Sequence, residues 1–518
     1  MFENSLIVSG ILSLANWLYR AFYESAIVCW IGKGVSALGR LWKNSGIFGF
    51  FAKDSRLEPK IQSSVLYSFV DRVVQGILGW CTKIYRKLRS YNENSINATL
   101  YERFVRGSFV CSLNGLLAIF IFFVALVPHD MWNNMYMLLG AIGISGIYFL
   151  VLLSGRNLGK SVKGIWLPLL IFMMATVSGV LVSHDRSDSV RVLMFFVASF
   201  LICLDIYGSV DSYEKMKQFM TVVFVGILLT SVYAFYQRAA GVEISASLTD
   251  LTLNKDMPGR VFSTMGNPNN YAEFLVLLLP FCFAYALNAK TLGRQTLLLV
   301  FCMLPVGALL MTYSRSGWIS FAIALVVFAW FYNKKLIPIL IVVGLLCVPL
   351  LPSSIINRIL TIGNLEDSSS SYRLLIWEGV LKMLGNGYAL QGIGLGPNAF
   401  STVYPPYAEA RAAVAPHSHM LYLEILVEMG IVGLLSFVWF VCALVRRSGA
   451  AVHRAVRPEV KNMLIAGVSA LSGIAFISMV EYVWFYPRVM FTFFVTAGLT
   501  MAMIRIARQE KTPSLAQR

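Results

Sequence analysis

Long apolar segments constrain the fold more than any other feature of this sequence. Apolar runs of about 17 or more residues, enough to cross a hydrocarbon core roughly 30 Å thick, recur from residue 108 to the C-terminus. In lipid, only helices and closed barrels bond all their backbone groups, and continuous rather than alternating runs favour helices. The sequence therefore predicts an all-α, polytopic membrane protein with about twelve transmembrane helices.

The composition supports a membrane protein and excludes other classes. Hydrophobic residues make up 57% of the 518 residues and charged residues only 13%, about half the charged share of a soluble domain. We attribute the net charge of +17 to basic cytoplasmic loops and anionic lipid, and no motif indicates nucleic acid as a partner. The eight cysteines lie in or beside apolar segments without a CxxC pair, so neither a zinc site nor a disulfide framework is expected. No signal peptide is expected either.

Residues 1–107 differ from the rest of the chain because they mix apolar and aromatic residues with many basic ones. They are predicted as a cytoplasmic, interfacial region of amphipathic helices, with a true span at 5–31 as the alternative. A transmembrane domain over 108–506 and a cytoplasmic tail over 507–518 follow. The predicted spans are 108–127, 134–153, 164–183, 189–208, 217–237, 270–288, 295–313, 316–333, 335–352, 419–445, 462–484 and 489–506.

The distribution of Lys and Arg predicts the orientation of these spans. Alternate short loops are basic, and they contain Arg156, Lys160, Lys163, Lys215, Lys217, Lys290, Arg294, Lys334, Lys335, Arg446, Arg447, Arg454, Arg457 and Lys461. Of the opposite short loops, 128–133 has no Lys or Arg and 184–188 has only Arg186. The positive-inside rule then places both termini in the cytoplasm and the long polar loops 238–269 and 353–418 outside. The second of these loops is expected to carry short helices.

Two arginines stand in motifs at predicted outer helix ends. Arg260 opens the segment 259–273, whose Gly, Pro and Asn residues favour a tight turn at the membrane surface. Arg315 lies within 311–318, in a very short turn where a cation breaks the positive-inside trend. A guanidinium offers a planar set of donors that suits phosphate. A loop-capping or snorkelling role is the alternative for Arg260.

The large outer loop contributes two further motifs. Residues 371–378, which include Arg373, are predicted as a short amphipathic helix, and residues 392–400 as a glycine-rich turn without a nucleotide-binding signature. His417 and His419 stand at the mouth of the tenth span, and imidazole can transfer protons near neutral pH. A metal site is disfavoured because no acidic or Cys cluster accompanies the pair and because residues two apart point in different directions on a helix.

Together the four motifs resemble the O-antigen ligase and polymerase superfamily, whose members transfer glycans from undecaprenyl diphosphate. The resemblance covers roughly residues 108–506. The ligase signature is a His, a small polar residue, nine arbitrary residues, a Gly, two residues, and then Gly, Thr or Tyr. His419, Gly430 and Gly433 follow this register.

Two positions qualify the match to the signature. His417 does not fit it, because Glu428 occupies the position where the glycine would stand. Met420 stands where the family has a small polar residue, and this departure leaves both ligase and polymerase open.

The resemblance implies a metal-independent, inverting glycosyltransferase without a cofactor. It would act at the outer face of the cytoplasmic membrane in synthesis of a cell-envelope polysaccharide or exopolysaccharide. It implies that Arg260 and Arg315 bind the donor diphosphate, that His419 is catalytic, and that Arg373 and His417 make secondary substrate contacts. The implied partners are a lipid-linked glycan donor, a glycan, lipid or wall acceptor, and other envelope polysaccharide assembly proteins.

Three other functions remain as alternatives. One is a polysaccharide polymerase of the same superfamily. Another is a lipid-linked glycan flippase, although a transporter would be expected to hold its charged residues at mid-membrane within broken helices. The third is a non-catalytic scaffold for envelope assembly.

Overall fold

The protein is a bundle of helices in the part of the chain that the structure describes. The computed structural model describes residues 6–44, 63–90, 109, 112–153, 166–242, 258–363 and 368–510, and these residues contain no β-strand. The helices are α1 Leu6–Tyr23, α2 Ala26–Asn44, α3 Val65–Ser90, α4 Leu113–Leu126, α5 Asn134–Leu153, α6 Trp166–Leu181, α7 Arg186–Ser209, α8 Tyr213–Ala240, α9 Pro268–Leu287, α10 Leu292–Met311, α11 Arg315–Tyr332, α12 Leu336–Cys347, α13 Ser353–Leu360, α14 Ser368–Met383, α15 Pro397–Val403, α16 Leu421–Val452, α17 Pro458–Ile477 and α18 Pro487–Glu510.

The prediction of an all-α, multi-pass membrane protein is confirmed. Eight helices of the described chain are long and apolar enough to cross a membrane: α7 to α11 and α16 to α18. Four further apolar helices are shorter, at 113–126, 134–150, 167–181 and 336–350. Each predicted span coincides with one of these twelve helices, but eight is the number that meets the length criterion. The total of about twelve crossings therefore stays a prediction.

Helix α18 lies at the centre of the bundle. All of its residues from Arg488 to Ala507 are buried, and it packs against α7, α16 and α17. Polar side chains on this helix are bonded internally, as where the Thr492 hydroxyl donates to the Arg488 carbonyl (2.7 Å) and the Thr500 hydroxyl to the Thr496 carbonyl (2.7 Å). Such back-bonding removes the cost of burying a hydroxyl in an apolar interior.

Helix α10 shows the opposite pattern, because it exposes its apolar side chains at the outside of the bundle. Leu297, Val300 and Met303 are each at least 50% exposed. An apolar stripe of this kind is expected to face lipid, where its exposure costs nothing.

The helix ends form two groups, one at each end of the bundle, and hydrogen bonds join neighbouring segments within each group. At one end, the Asn114 amide donates to the Lys215 carbonyl and the Asn288 amide donates to the Glu459 carbonyl, both at 3.0 Å. At the other end, the Thr264 hydroxyl donates to the Ala125 carbonyl at 2.6 Å. The described basic loops fall in the first group, whereas the motifs at 259–273, 311–318 and 371–433 fall in the second. The basic loop residues Arg156, Lys160 and Lys163 lie outside the described residues.

The N-terminal region contains α1, α2 and α3. Helices were predicted for this region from the sequence. The alternative of one span over 5–31 is not supported, because the chain leaves the helix between Tyr23 and Ala26. Helix α1 contacts the basic end of the bundle, where the Tyr23 hydroxyl donates to the Lys334 carbonyl at 3.4 Å. Its interfacial, cytoplasmic placement stays a prediction. Residues 511–518 of the predicted tail, and parts of the predicted outer loops at 243–257 and 364–367, lie outside the described residues.

Candidate active site

A cavity of about 860 Å³ opens at the end of the bundle where the motifs meet. All five candidate residues named from the sequence line it: Arg260, Arg315, Arg373, His417 and His419. They come from separate loops and helices between residues 260 and 419. The structure thus brings the candidates together, although each residue's role stays a prediction.

Arg260 joins two of the loops that form the cavity. Its Nε donates to the Thr312 carbonyl at 2.8 Å, and its Nη2 donates to Asn269 Oδ1 at 2.6 Å. The side chain is only 8% exposed. Burial, together with the nearby Arg358 guanidinium, lowers the pKa of Arg260 to about 9, and the Glu481 carboxylate partly opposes this shift.

Arg315 is the first residue of α11, and Ser314 caps that helix by accepting the Gly317 N–H at 3.4 Å. This position confirms the short turn between two apolar helices. Arg315 Nη1 donates to the carbonyl of Thr361 at 2.9 Å. The contact ties the start of α11 to the end of α13, in the large loop.

Arg358 on α13 is a cavity residue that the sequence interpretation missed. It is 7% exposed and its Nε donates to the Tyr313 carbonyl at 3.4 Å. Four arginines of the described chain therefore line the cavity: Arg260, Arg315, Arg358 and Arg373. An available signal was the single arginine between apolar residues in the short segment 353–362, which is typical of an amphipathic helix at a membrane surface.

Glu481 was also missed, because the predicted span 462–484 ran through it. Helix α17 ends at Ile477, and Glu481 lies in the turn that follows. There its Oε1 pairs with Arg373 Nη2 at 2.5 Å. Arg373 itself stands on α14, which confirms the predicted short helix. A carboxylate inside an apolar stretch was a signal of function that could have been used.

The two histidines lie in a loop before α16 and not on the helix itself. The helix begins at Leu421, two residues after the predicted start of the tenth span at His419. The expectation that the rings point apart is wrong, because it assumed helical geometry: their centroids are 4.1 Å apart. His417 Nδ1 accepts the backbone N–H of His419 at 3.1 Å.

Both imidazoles are held in the neutral form. Burial is the main reason that the pKa of His419 is lowered to about 4, and the positive charge of Arg373 adds to this effect. Burial, together with His419 and Arg373, lowers the pKa of His417 well below 6.5. Since His417 Nδ1 accepts a hydrogen bond, the proton of its neutral ring is on Nε2.

Backbone strain is concentrated around this cavity. Among the described residues, the non-glycine residues with positive φ are Ser263, Tyr313 and His419, at 50°, 51° and 54°. Tyr313 and His419 line the cavity, and Ser263 lies in the loop that carries Arg260. This conformation is unfavourable for a residue with a side chain and is found most often at functional sites.

Two of the motifs support each other through the backbone. Gly392, Gly394 and Gly396 have positive φ, which confirms the glycine-rich turn. The turn packs against α16, where the Gly396 N–H donates to Glu428 Oε1 at 2.7 Å and the Ile393 N–H donates to the Val427 carbonyl at 2.8 Å. Glu424, one helical turn earlier, accepts the Ser418 N–H at 2.6 Å and so holds the loop between the histidines.

Fold and site together define a class of protein. The described chain is an all-helical, multi-pass membrane protein with a cavity lined by arginine and histidine at one end of its helices. Within the described residues, no group of three or more His, Cys, Asp or Glu side chains is placed to hold a metal ion. The prediction of metal independence is not tested by this geometry.

Comparison with known families gives a match over part of the chain. A family model described as O-antigen ligase matches residues 298–438, a segment that contains Arg315, Arg358, Arg373, His417 and His419. The match confirms the resemblance to the O-antigen ligase and polymerase superfamily, and at this coarse level it supports an enzyme acting on glycans. Arg260 lies outside the matched segment. No curated protein matches the chain.

Proposed function

We propose that the protein transfers a glycan from a polyprenyl diphosphate to an acceptor hydroxyl at the outer face of the cytoplasmic membrane. One observation carries the proposal. Four arginines and two neutral histidines of the described chain line the same cavity, at the ends of membrane-spanning helices. A diphosphate that joins a membrane lipid to a glycan needs a cationic site near the ends of the membrane helices, so that the lipid tail lies in the bilayer and the glycan in water.

The arginines would act on the leaving group. During transfer, the acceptor oxygen bonds to the anomeric carbon while the bond from that carbon to the diphosphate oxygen breaks. Negative charge then develops on the diphosphate, and pre-placed guanidinium donors stabilise it more than they stabilise the ground state. Removing one such donor from a site of this kind costs roughly 3 kcal/mol of barrier. Attack opposite the diphosphate inverts the anomeric carbon.

His419 would act on the acceptor. Its neutral ring can accept the proton of the attacking hydroxyl, or orient that hydroxyl by accepting a hydrogen bond. His417 supports it through the bond to the His419 backbone, which helps to hold the unfavourable positive φ. The donor is already activated by its diphosphate, so the proposed transfer uses neither ATP nor a metal ion.

A polymerase of the same superfamily remains the second candidate, since Met420 departs from the ligase signature and leaves both functions open. The two functions share this chemistry and differ in the acceptor, which is a growing glycan for the polymerase and another lipid or wall molecule for the ligase. A flippase is less well supported, because Arg260, Arg315 and Arg373 stand in a loop, at a helix end and on the short helix α14. None of these three positions lies within a broken helix, where the charged residues of a transporter would be expected.

A transfer assay with purified protein tests the proposal. The substrates are a short-chain polyprenyl-diphosphate oligosaccharide, serving as donor and as glycan acceptor, and in a parallel reaction a lipid acceptor. We expect product in the presence of a chelator, and we expect His419→Ala to lower the rate by about 10²–10⁴-fold. His417→Ala should lower it less. Activity that a chelator abolishes and a divalent ion restores would refute the metal-independent mechanism. Loss of activity in His417→Ala alone would show that His417, and not His419, is the reactive histidine.

A further inference from the structure

The arginine cavity contains a carboxylate at the position where an anion would be expected to bind. Glu481 is 7% exposed and lines the cavity. Its Oε1 lies 2.5 Å from Arg373 Nη2, 3.4 Å from Asn269 Nδ2 and 3.5 Å from Ser316 Oγ. A guanidinium, an amide and a hydroxyl from α14, α9 and α11 thus converge on one carboxylate oxygen.

These three donors are also the kinds that bind phosphate oxygens. Asn269 is shared between the carboxylate and the cations, because its Oδ1 accepts from Arg260 while its Nδ2 approaches Glu481. Ser316 directly follows Arg315 in the first turn of α11, where the helix dipole favours negative charge. Glu481 therefore contacts, or lies next to, the groups that are proposed to hold the donor diphosphate.

We propose that Glu481 is the resident counter-ion of the arginine cavity, and that the donor diphosphate competes with it for Arg373. Without Glu481, the four guanidinium groups facing one cavity would repel each other more strongly, since the region has a low dielectric constant. Glu481 balances part of this charge in the empty state. When the diphosphate binds, Arg373 exchanges one anion for another, and the same carboxylate then repels the diphosphate product and speeds its release.

This inference rests on the proposed diphosphate-binding function of the cavity, and it predicts two opposite effects of removing the charge. In Glu481→Gln, inorganic pyrophosphate should bind more tightly, by on the order of tenfold for the loss of one nearby like charge. In glycan transfer, KM for the donor should fall and kcat should also fall, because the diphosphate product leaves more slowly. A carboxylate that merely positioned Arg373 would give the reverse effect on binding.

Isothermal titration of the full-length protein in detergent with pyrophosphate measures the first effect. Glu378→Gln is the matched control, because Glu378 stands on α14 in an exposed ion pair with Lys382, and the affinity of this variant should change by less than about twofold. If the wild type binds and Glu481→Gln binds equally or more weakly, the counter-ion proposal alone is wrong. If neither protein binds, the diphosphate site itself is wrong, and the counter-ion proposal fails with it.

A second variant, Glu481→Ser, guards against an effect peculiar to the glutamine amide. It should also bind pyrophosphate more tightly than the wild type does. The thermal unfolding of both variants is measured without ligand. Both should fold, but they should unfold at a somewhat lower temperature than the wild type, because the guanidinium groups then repel each other without the balancing charge. Loss of folding in both variants would overturn the proposal, since a counter-ion that a substrate displaces cannot be essential to the fold.

Discussion

At the scale of single residues, the cavity combines buried cations with imidazoles that stay neutral. Burial lowers the pKa of Arg260 only to about 9, so this guanidinium is still almost fully charged at pH 7. The same low-dielectric surroundings, together with Arg373, lower the pKa of His419 to about 4. One environment therefore supplies positive charge for a diphosphate and an uncharged acceptor for a proton.

The geometry of Arg315 gives a prediction about hydrogen bonding as distinct from charge. We expect Arg315→Lys to lose most transfer activity although the charge is kept, because an ammonium cannot present two parallel donors in one plane. The measurement is initial rate of glycan transfer by the purified variant. Arg186→Lys is the control, since Arg186 starts α7 outside the cavity and its rate should be nearly unchanged. Wild-type rates in a properly inserted Arg315→Lys protein would contradict bidentate binding of the diphosphate.

The lowered pKa of His419 predicts an unusual pH dependence. A proton acceptor must be neutral, and a pKa of about 4 keeps His419 neutral as the pH falls from 8 to 5.5. We therefore expect kcat/KM, which reports the free enzyme, to stay level over that range and to fall only as the pH approaches 4. An imidazole with the ordinary pKa of about 6.5 would retain only about a tenth of its neutral form at pH 5.5. A midpoint near pH 6.5 that is absent in His419→Ala would refute the prediction.

At the scale of elements, glycines allow the large loop to dock onto α16. Gly430 interrupts that helix with φ 67° and ψ −171°, a conformation essentially restricted to glycine. The interruption frees backbone groups of α16, and the turn around Gly392–Gly396 bonds to them. The glycine of the ligase signature thus has a structural explanation. It shapes the part of α16 that binds the glycine-rich turn, and this turn lies in the large loop that leads to the histidines.

Substitution of this glycine should be costly. In Gly430→Ala, the new Cβ would lie 2.2 Å from the Leu390 carbonyl oxygen, and we expect a loss of more than about 2 kcal/mol of stability. Thermal unfolding in detergent measures this loss, and transfer activity should fall with it. Gly344→Ala is the matched control in α12, because a Cβ there meets nothing within 4 Å. That variant should be unchanged or slightly stabilised. Similar unfolding temperatures for the two variants would contradict the expected role of the interruption.

At the scale of the whole molecule, the basic loops and the candidate site lie at opposite ends of the bundle. The described basic loops lie at one end of the bundle and the cavity at the other, as the contacts near Lys215 and Ala125 show. The positive-inside rule assigns the basic end to the cytoplasm. This assignment would place the proposed reaction on the outer face of the membrane.

Single-cysteine labelling of intact cells tests this orientation. In a background without the native cysteines, Ala410→Cys should react with a membrane-impermeant maleimide, whereas Lys290→Cys and Arg454→Cys should be protected until the cells are opened. All three positions are exposed in the structure, so protection would reflect the membrane and not the fold. Labelling of Lys290→Cys together with protection of Ala410→Cys in intact cells would reverse the proposed topology.

The sequence by itself determined the class of fold and the identity of the five candidate residues. Apolar runs of this length have few solutions in lipid, because each backbone group must be bonded within its own helix. These arginines and histidines were visible because polar residues beside apolar runs are costly unless they are used. The glycine register of the signature likewise needed only local spacing, and it selected His419 over His417.

Only the tertiary structure decided how these residues form one site. Arg358 and Glu481 joined it because α13 and the turn after α17 fold against α11 and α14, and no local pattern specifies such long-range packing. The histidine rings lie together because α16 begins after them, a boundary set by the contacts of Glu424 and Ser418. Helix formation is governed by neighbours in sequence, whereas the charge balance of a cavity depends on segments more than two hundred residues apart, such as those of Asn269 and Glu481.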